Sequence, residues 1–179
     1  MPGFRKLGER QVYDGHLIEV AVGTFVTPDG EEFEREVVHH PGAVVVVPLH
    51  GDGRVTLVRQ YRAAIESDLL ELPAGKRDVT GEDPRVTAQR ELAEEAGLRA
   101  GHMELVGRFY NSAGFSDELS WVYVATDLQA CPTDFQGVEE SHMTIEQVAL
   151  ADFPAMVRDG RIIDAKTIIG LALVSSDHR

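Results

Sequence analysis

One segment in the middle of the chain, GKRDVTGEDPRVTAQRELAEEAGL, constrains the fold more than any other. An apolar stretch ending at Pro73 precedes it and is typical of a short strand that stops before a loop. Asp83 followed by Pro84 is the order of an N-cap and a first helical residue, and Gly97 is a typical residue just past a helix end. The segment therefore predicts a strand, a polar loop and a helix over residues 84–96.

The predicted helix carries acidic and apolar side chains on different faces. At about 3.6 residues per turn, Glu91 and Glu95 lie one above the other, and Glu94 leans to the same side. The stripe expected to pack inward consists of Ala88, Leu92 and Ala96. A solvated acidic face is the usual explanation of such a run when it stands alone. The preceding strand and loop favour a different one, in which the carboxylates hold a hard divalent cation beside a phosphate group.

Composition narrows the partners and the compartment. The chain has 17 basic and 30 acidic residues and a formal charge of −13, which repels nucleic acid but allows a small anion neutralised by metal ions. The single cysteine, Cys131, rules out an internal disulfide and fits a reducing compartment. No apolar signal-peptide region occurs in the first ten residues, and the longest apolar run, 43–49, is too short for a bilayer. We expect a cytoplasmic protein without a membrane or nucleic-acid partner.

The order of the predicted elements indicates an α/β layered domain with a small β-sheet appendage. Residues 11–38 are predicted to form short antiparallel strands, and Pro41-Gly42 marks a boundary between a subdomain, 1–41, and a larger domain, 42–179. Further strands are predicted at 43–49, 54–60, 69–72, 106–111 and 119–125. Helices are predicted at 150–158 and after Asp164, to about residue 174.

The central segment resembles the Nudix box, G-x5-E-x7-R-E-U-x-E-E-x-G-U, where U is aliphatic. The matching residues are Gly75, Glu82, Arg90, Glu91, Leu92, Glu94, Glu95, Gly97 and Leu98. The one departure is a sixth residue between Gly75 and Glu82, where the box has five. It falls in loop 76–81 and leaves the spacing from Glu82 to Arg90 at the expected seven.

The flanking sequence resembles the ADP-ribose pyrophosphatase branch of this family. The similar segments are EVVHHPGA at 36–43, VRQYR at 58–62, LELPAG at 70–75, GFSDE at 114–118 and DAKTI at 164–168. The resemblance implies a Nudix-type α/β/α sandwich with a mixed central sheet, plus a small N-terminal antiparallel β-sheet subdomain. It also implies hydrolysis of the diphosphate bond of ADP-ribose to AMP and ribose 5-phosphate, with Mg²⁺, or alternatively Mn²⁺, as cofactor.

The resemblance also assigns roles to individual residues. The metal ligands it implies are Glu91 and Glu95, then Glu94 and Glu82, with the backbone carbonyl of Ala74. It takes the general base from a loop after the box, which gives Glu140 first and Glu139 second, and Glu95 is the third residue expected to be catalytic. Candidate substrate contacts are Arg62, Arg35, the weaker Arg59, and Glu118 at the ribose end. Arg90 is expected to pair with a glutamate rather than touch substrate.

Assembly and substrate leave alternatives open. In the similar branch the N-terminal sheet packs across a two-fold axis, which predicts a homodimer. The shared box is equally compatible with another nucleoside diphosphate derivative, such as a nucleotide sugar or a dinucleotide. A ligand-binding regulator that keeps the fold without catalysis, and an interaction protein with a solvated acidic helix, are the lesser alternatives.

Overall fold

The computed structural model describes residues 3–176 as two compact units. Its strands are β1 (Arg5–Asp14), β2 (Glu19–Val26), β3 (Glu32–His39), β4 (Ala43–Pro48), β5 (Arg54–Arg62), β6 (Ser67–Glu71), β7 (Ala74–Lys76), β8 (Leu98–Tyr110), β9 (Leu119–Ala130) and β10 (Thr144–Ala149). The α-helices are α1 (Pro84–Ala96), α2 (Phe153–Arg158) and α3 (Ala165–Ser176), and 3₁₀ turns cover Glu140–His142 and Leu150–Asp152.

The first unit comprises the residues up to Gly42 together with Tyr110–Leu119. Its sheet has the antiparallel order β1-β2-β3, in which β1 is exposed along its whole length. His39, at the end of β3, contacts both the 110–119 segment and strand β1. Its Nδ1 lies 2.6 Å from Asp117 Oδ2, and its Nε2 lies 3.0 Å from Glu9 Oε2. The pKa of His39 is raised by its hydrogen bond to Asp117 and, secondly, by the bond to Glu9.

The second unit comprises Ala43–Phe109 and the residues from Ser120 onward, built on a mixed sheet of order β7-β4-β9-β8. Strand β4 pairs with β9 in parallel and with β7 in antiparallel, and all six of its residues are buried. Its even-numbered valines, Val44 and Val46, pack with α1, whereas Val45 and Val47 pack with α3 and with the second sheet, β10-β5-β6. A sheet covered on both faces explains the uninterrupted apolar sequence. The predicted α/β class with a mixed central sheet is confirmed.

Some predicted boundaries were wrong, each for a physical reason. Strand β1 begins at Arg5, before the predicted start, because a fully exposed strand has no apolar alternation to detect. Strand β8 begins at Leu98, directly after the helix, and β10 was missed, since half its residues are exposed. The helix predicted at 150–158 is a 3₁₀ turn followed by α2, with Pro154 in the first turn of α2. Within the described residues no helix is both long and apolar enough to span a membrane.

Candidate active site

Helix α1 forms as its local sequence predicts, and it presents the box residues to the end of β7. The Asp83 side chain accepts the N–H of Arg85 at 2.8 Å, and Gly97 takes a left-handed conformation, with φ of 62°. Ala88 and Leu92 are fully buried against the mixed sheet. The cap and the apolar stripe together fix the rotation of the helix, and so decide which face the glutamates occupy.

Glu91 and Glu95 point inward, toward the backbone of β7, and are only 9% and 4% exposed. Glu95 Oε2 accepts the N–H of Ala74 at 3.0 Å. The Glu91 carboxyl group occupies the space that a side chain at Gly75 would need, since a Cβ built on Gly75 would lie 1.9 Å from Glu91 Cδ. Gly75 is therefore required for the close approach of a carboxylate to the strand.

Both glutamates have strongly perturbed pKa values. Burial raises the pKa of Glu91 to about 7, while Arg90 acts in the opposite direction. Burial raises the pKa of Glu95 to about 8, against the N–H of Ala74, which lowers it. A buried pair of carboxyl groups destabilises its own ionised form, and a divalent cation between them would favour ionisation.

Arg90 lies among the box carboxylates, in the supporting position expected of it. Its Nη1 lies 2.8 Å from Glu91 Oε1 and 3.0 Å from Glu94 Oε2. Its Nη2 lies 3.8 Å from Glu82 and is buried without a hydrogen-bond partner. The guanidinium group thus offsets part of the negative charge and orders the side chains that surround it.

The extra loop residue before Glu82 is accommodated by local contacts. Gly81 takes a left-handed conformation, with φ of 80°, and the Glu82 N–H donates to Val79 O at 3.1 Å. Arg77 stacks on Trp121, with 4.3 Å from Cζ to the ring centroid, and its Nη2 lies 3.4 Å from Glu82 O. The Glu82 side chain turns toward helix α1, where it accepts the Thr87 hydroxyl at 2.7 Å.

The acidic loop after β9 brings one of its two glutamates into the electrostatic field of the pair on α1. Behind the dominant effect of burial, the charge of Glu140 contributes to the raised pKa of both Glu91 and Glu95. Glu140 Oε2 accepts the N–H of Gln136 at 2.7 Å, which anchors it within its own loop. Glu139 is exposed and precedes the 3₁₀ turn. Glu140 is therefore part of the electrostatic surroundings of the pair.

The arginines predicted to bind substrate differ in their surroundings. Arg62 donates through Nε and Nη2 to the two oxygens of Glu71, each at 2.7 Å, and the charge of Glu95 also reaches it. Arg59 pairs with Glu146 at 2.7 Å on a partly exposed surface. Of the two, only Arg62 is thus associated with the candidate site.

The two remaining predicted contacts belong to the first unit. Arg35 lies over Phe33, at 4.7 Å from the ring centroid, and its Nη1 donates to Glu34 O at 2.7 Å. The Glu118 N–H donates to Ser116 Oγ at 3.2 Å, and its carboxylate lies 3.9 Å from His40 Nδ1. All of these contacts of Arg35 and Glu118 are with residues of the first unit.

A group of polar residues from two segments of the family resemblance, 70–75 and 164–168, lies next to Arg62, a proximity that the sequence did not predict. The carboxylates of Glu71 and Asp164 are buried, and Lys166 Nζ lies 3.8 Å and 2.8 Å from them, respectively. Burial alone would raise the pKa of Asp164, but Lys166 and Thr167 lower it below its ordinary value. The one local signal was the three-residue spacing of Asp164 and Thr167, which is typical of a helix cap.

The donors present suit a divalent cation that is shared with substrate. Among residues 3–176, no three histidine, cysteine, aspartate or glutamate side chains converge into a ready-made metal site. Two buried carboxylates on one helix face, beside a strand end with a backbone carbonyl, do match the ligand set of Mg²⁺. This ion takes one or two protein carboxylates and completes its shell with water and phosphate oxygens.

Comparison with known proteins identifies the family pattern over most of the chain. Residues 38–166 match the model of the NUDIX domain. A methanol dehydrogenase activator from Bacillus methanolicus is 36% identical over 161 residues, which cover 90% of this chain and 86% of the relative. An ADP-ribose pyrophosphatase from Bacillus subtilis (strain 168) is 34% identical over 163 residues, which cover 91% of this chain and 88% of the relative.

The fold also has a close counterpart among solved structures. The crystal structure of an ADP compounds hydrolase superposes with a TM-score of 0.83, covering 98% of this chain and 94% of the other. The sequence identity of the pair is 24%, so this similarity concerns the architecture.

Proposed function

This chain belongs to the NUDIX family, and from that premise we propose that it hydrolyses ADP-ribose to AMP and ribose 5-phosphate with Mg²⁺ as cofactor. The observation that carries the proposed chemistry is the buried pair Glu91 and Glu95 against the end of β7, with Glu140 in its field. The choice of ADP-ribose is supported by the flanking segments and by the name of the Bacillus subtilis relative.

The proposed site must overcome the negative charge of a diphosphate, which repels a nucleophile. A bound divalent cation draws charge from the phosphate oxygens and activates water for attack. Glu91, Glu95 and the carbonyl of Ala74 would hold the ions, with Glu94 and Glu82 in supporting positions. Mn²⁺ has the same preference for oxygen ligands and would serve as a substitute.

Glu140 is the proposed general base, with Glu139 as the alternative. Its carboxylate takes a proton from the attacking water, whose oxygen forms a bond to one phosphorus. The bridging P–O bond breaks, and the electron pair leaves with the second phosphate. The products are two phosphate monoesters, AMP and ribose 5-phosphate. Arg62 is proposed to bind the substrate through the guanidinium N–H groups that Glu71 does not occupy, since a guanidinium group donates strongly to phosphate oxygens. Arg35, Arg59 and Glu118 stay candidate substrate contacts.

A substrate panel tests the proposal. ADP-ribose, a nucleotide sugar and a dinucleotide are incubated with the protein and Mg²⁺ or Mn²⁺, and products are separated by chromatography. We expect AMP from ADP-ribose with the highest kcat/KM of the panel. A higher kcat/KM on another compound would reassign the substrate within the family. Absence of turnover on every compound would contradict the enzymatic proposal and favour a ligand-binding regulator.

We also propose a homodimer formed through the sheet of the first unit. Strand β1 is an edge strand whose ten residues are all exposed, and its apolar side chains Leu7, Val12 and Tyr13 are 48%, 49% and 57% exposed. An uncovered apolar edge is a site where a second copy can pair. Sedimentation should give about twice the chain mass of 19.7 kDa. A fully active monomer at micromolar concentration contradicts the dimer.

The cytoplasm remains the proposed compartment, because a lone thiol fits reducing conditions. Fractionation of cells that express the protein, followed by immunodetection, tests this assignment, and recovery outside the cytoplasmic fraction would contradict it.

A further inference from the structure

Thr167, in the first turn of α3, joins the C-terminal helix to the link between β6 and β7, two residues before Ala74. Its hydroxyl is fully buried and accepts the N–H of Leu72 at 2.9 Å. The same hydroxyl donates to Asp164 Oδ2 at 2.8 Å, and this oxygen also accepts the Thr167 N–H at 2.8 Å. Because Asp164 takes the hydroxyl proton, the Thr167 oxygen is oriented to accept from Leu72.

Leu72 begins a three-residue segment whose backbone is fixed from three directions. Its own N–H is bound by Thr167 of α3. The next residue, Pro73, accepts the Val46 N–H through its carbonyl at 2.9 Å, which attaches it to β4. Ala74 then donates its N–H to Glu95 of α1 at 3.0 Å. The position of Ala74 relative to Glu95 therefore depends on contacts with both helices and with the central strand.

Partly and fully buried charged groups hold this end of α3 in place. Lys166 Nζ lies 2.8 Å from Asp164 and 3.8 Å from Glu71, the residue immediately before Leu72. The two oxygens of Glu71 in turn accept from Nε and Nη2 of Arg62, each at 2.7 Å. Glu71 is fully buried, and hydrogen bonds to such a charged group resist rearrangement, because leaving it unpaired is costly. The first turn of α3 is thus a fixed reference for the Leu72–Ala74 backbone.

We infer that Thr167 is a positioning residue of the metal centre, which acts through Leu72 to set the place of the Ala74 backbone against Glu95. The inference rests on the proposed function insofar as Ala74 and Glu95 are the proposed ligands. Thr167 itself does not touch substrate or metal. Groups that hydrogen-bond directly to metal ligands change metal affinity or activity by about 10- to 100-fold when they are lost. Thr167 acts one step further away, through the backbone of Leu72 and Pro73, so we expect an effect at the lower end of this range.

Two substitutions distinguish the effect of the Thr167 hydroxyl from the effect of the side-chain volume. Thr167→Val keeps the volume and removes the hydroxyl, whereas Thr167→Ser keeps the hydroxyl and removes a methyl group. Binding of Mn²⁺ without substrate is followed by electron paramagnetic resonance, below the melting temperature of each variant. We expect Thr167→Val to weaken Mn²⁺ binding and lower kcat by about 10-fold each, with KM nearly unchanged, and Thr167→Ser to stay within about 3-fold of wild type.

The outcomes distinguish this inference from the proposed function. Wild-type Mn²⁺ affinity in Thr167→Val, or equal losses in both variants, would overturn the positioning role. Wild-type protein that binds Mn²⁺ but hydrolyses no compound of the panel would remove the proposed function, while the binding comparison would still decide on Thr167.

A measurement on the wild-type protein keeps the test independent of whether the valine variant folds. Coupling between two sites is reciprocal, so Mn²⁺ binding must stabilise the Thr167–Leu72 hydrogen bond if that bond sets the ligand positions. Hydrogen exchange of the Leu72 amide should then slow by about 5-fold or more when Mn²⁺ is added. An unchanged exchange rate at saturating Mn²⁺ would overturn the inference.

Discussion

Replacing Gly75 with alanine should displace the Glu91 carboxyl group and lower activity, while the stability of the fold changes little. The new Cβ would lie 1.9 Å from Glu91 Cδ, and ordinary contact begins at 3.4 Å, so the carboxyl group must move by about 1.5 Å. Displacement of a catalytic group by about 1 Å costs on the order of 100-fold in rate, and we expect a decrease of that size in kcat. The clash involves the mobile end of a side chain, and Gly75 does not have a positive φ.

The fold should therefore tolerate the substitution. We expect the free energy of unfolding to change by about 1 kcal/mol or less, which corresponds to about 2–4 °C in Tm for a chain of this size. The assay pairs kcat for ADP-ribose hydrolysis with Tm measured without metal. Gly51→Ala is the matched control, because its Cβ would meet no atom within 4 Å. A Gly75→Ala variant with kcat within about 3-fold of wild type would refute the steric reasoning. A large decrease in Tm would show that Gly75 is needed for folding rather than for the position of Glu91.

Three further predictions address the base, the loop and the first unit. Glu140→Gln should lower kcat by about 100-fold or more with Mn²⁺ binding retained, whereas Glu139→Gln should not, and near-normal turnover in the first variant removes Glu140 from the role. Arg77→Ala should shift the fluorescence of Trp121, the only tryptophan, because it removes a cation from the ring face; an unchanged spectrum contradicts the stacking. The raised pKa of His39 means that its ion pairs stabilise the fold below its unfolded pKa of about 6.5, an effect lost as pH rises through the folded value. The Tm difference between wild type and His39→Gln should therefore shrink from pH 6 to 9, and a constant difference would contradict the assignment.

The parts of the fold that the sequence predicts well are those encoded locally. Helix α1 was placed correctly because Asp83, Pro84 and Gly97 are adjacent to the turns they stabilise. The carboxylate face followed from helical spacing alone. Strand β1 could not be placed, since what holds it is pairing with β2 rather than a buried face of its own.

The parts that could not be predicted depend on contacts between distant residues. Spacing in the sequence gives no sign that Thr167 binds Leu72, because the chain must first bring α3 to the end of β6. The bidentate pairing of Arg62 with Glu71 needs the antiparallel register of β5 and β6. The inward position of the Glu91 side chain depends on Gly75 having no side chain. This dependence cannot be inferred from the sequence, because it needs the packing of α1 against β7.

The parallel pairing of β4 with β9 has a consequence for how the protein is made. Ala43 of β4 faces Ser120 of β9, so the most buried strand finds its central partner only after the intervening box has been synthesised. Pairing between such distant segments slows folding. Until β9 has been synthesised, the unpaired sequence AVVVVP is apolar, uncharged and rich in β-branched residues. We therefore expect the nascent chain to be prone to aggregation until β9 is available. Slower synthesis at reduced temperature, or chaperone capture of this strand, should raise the yield of folded protein.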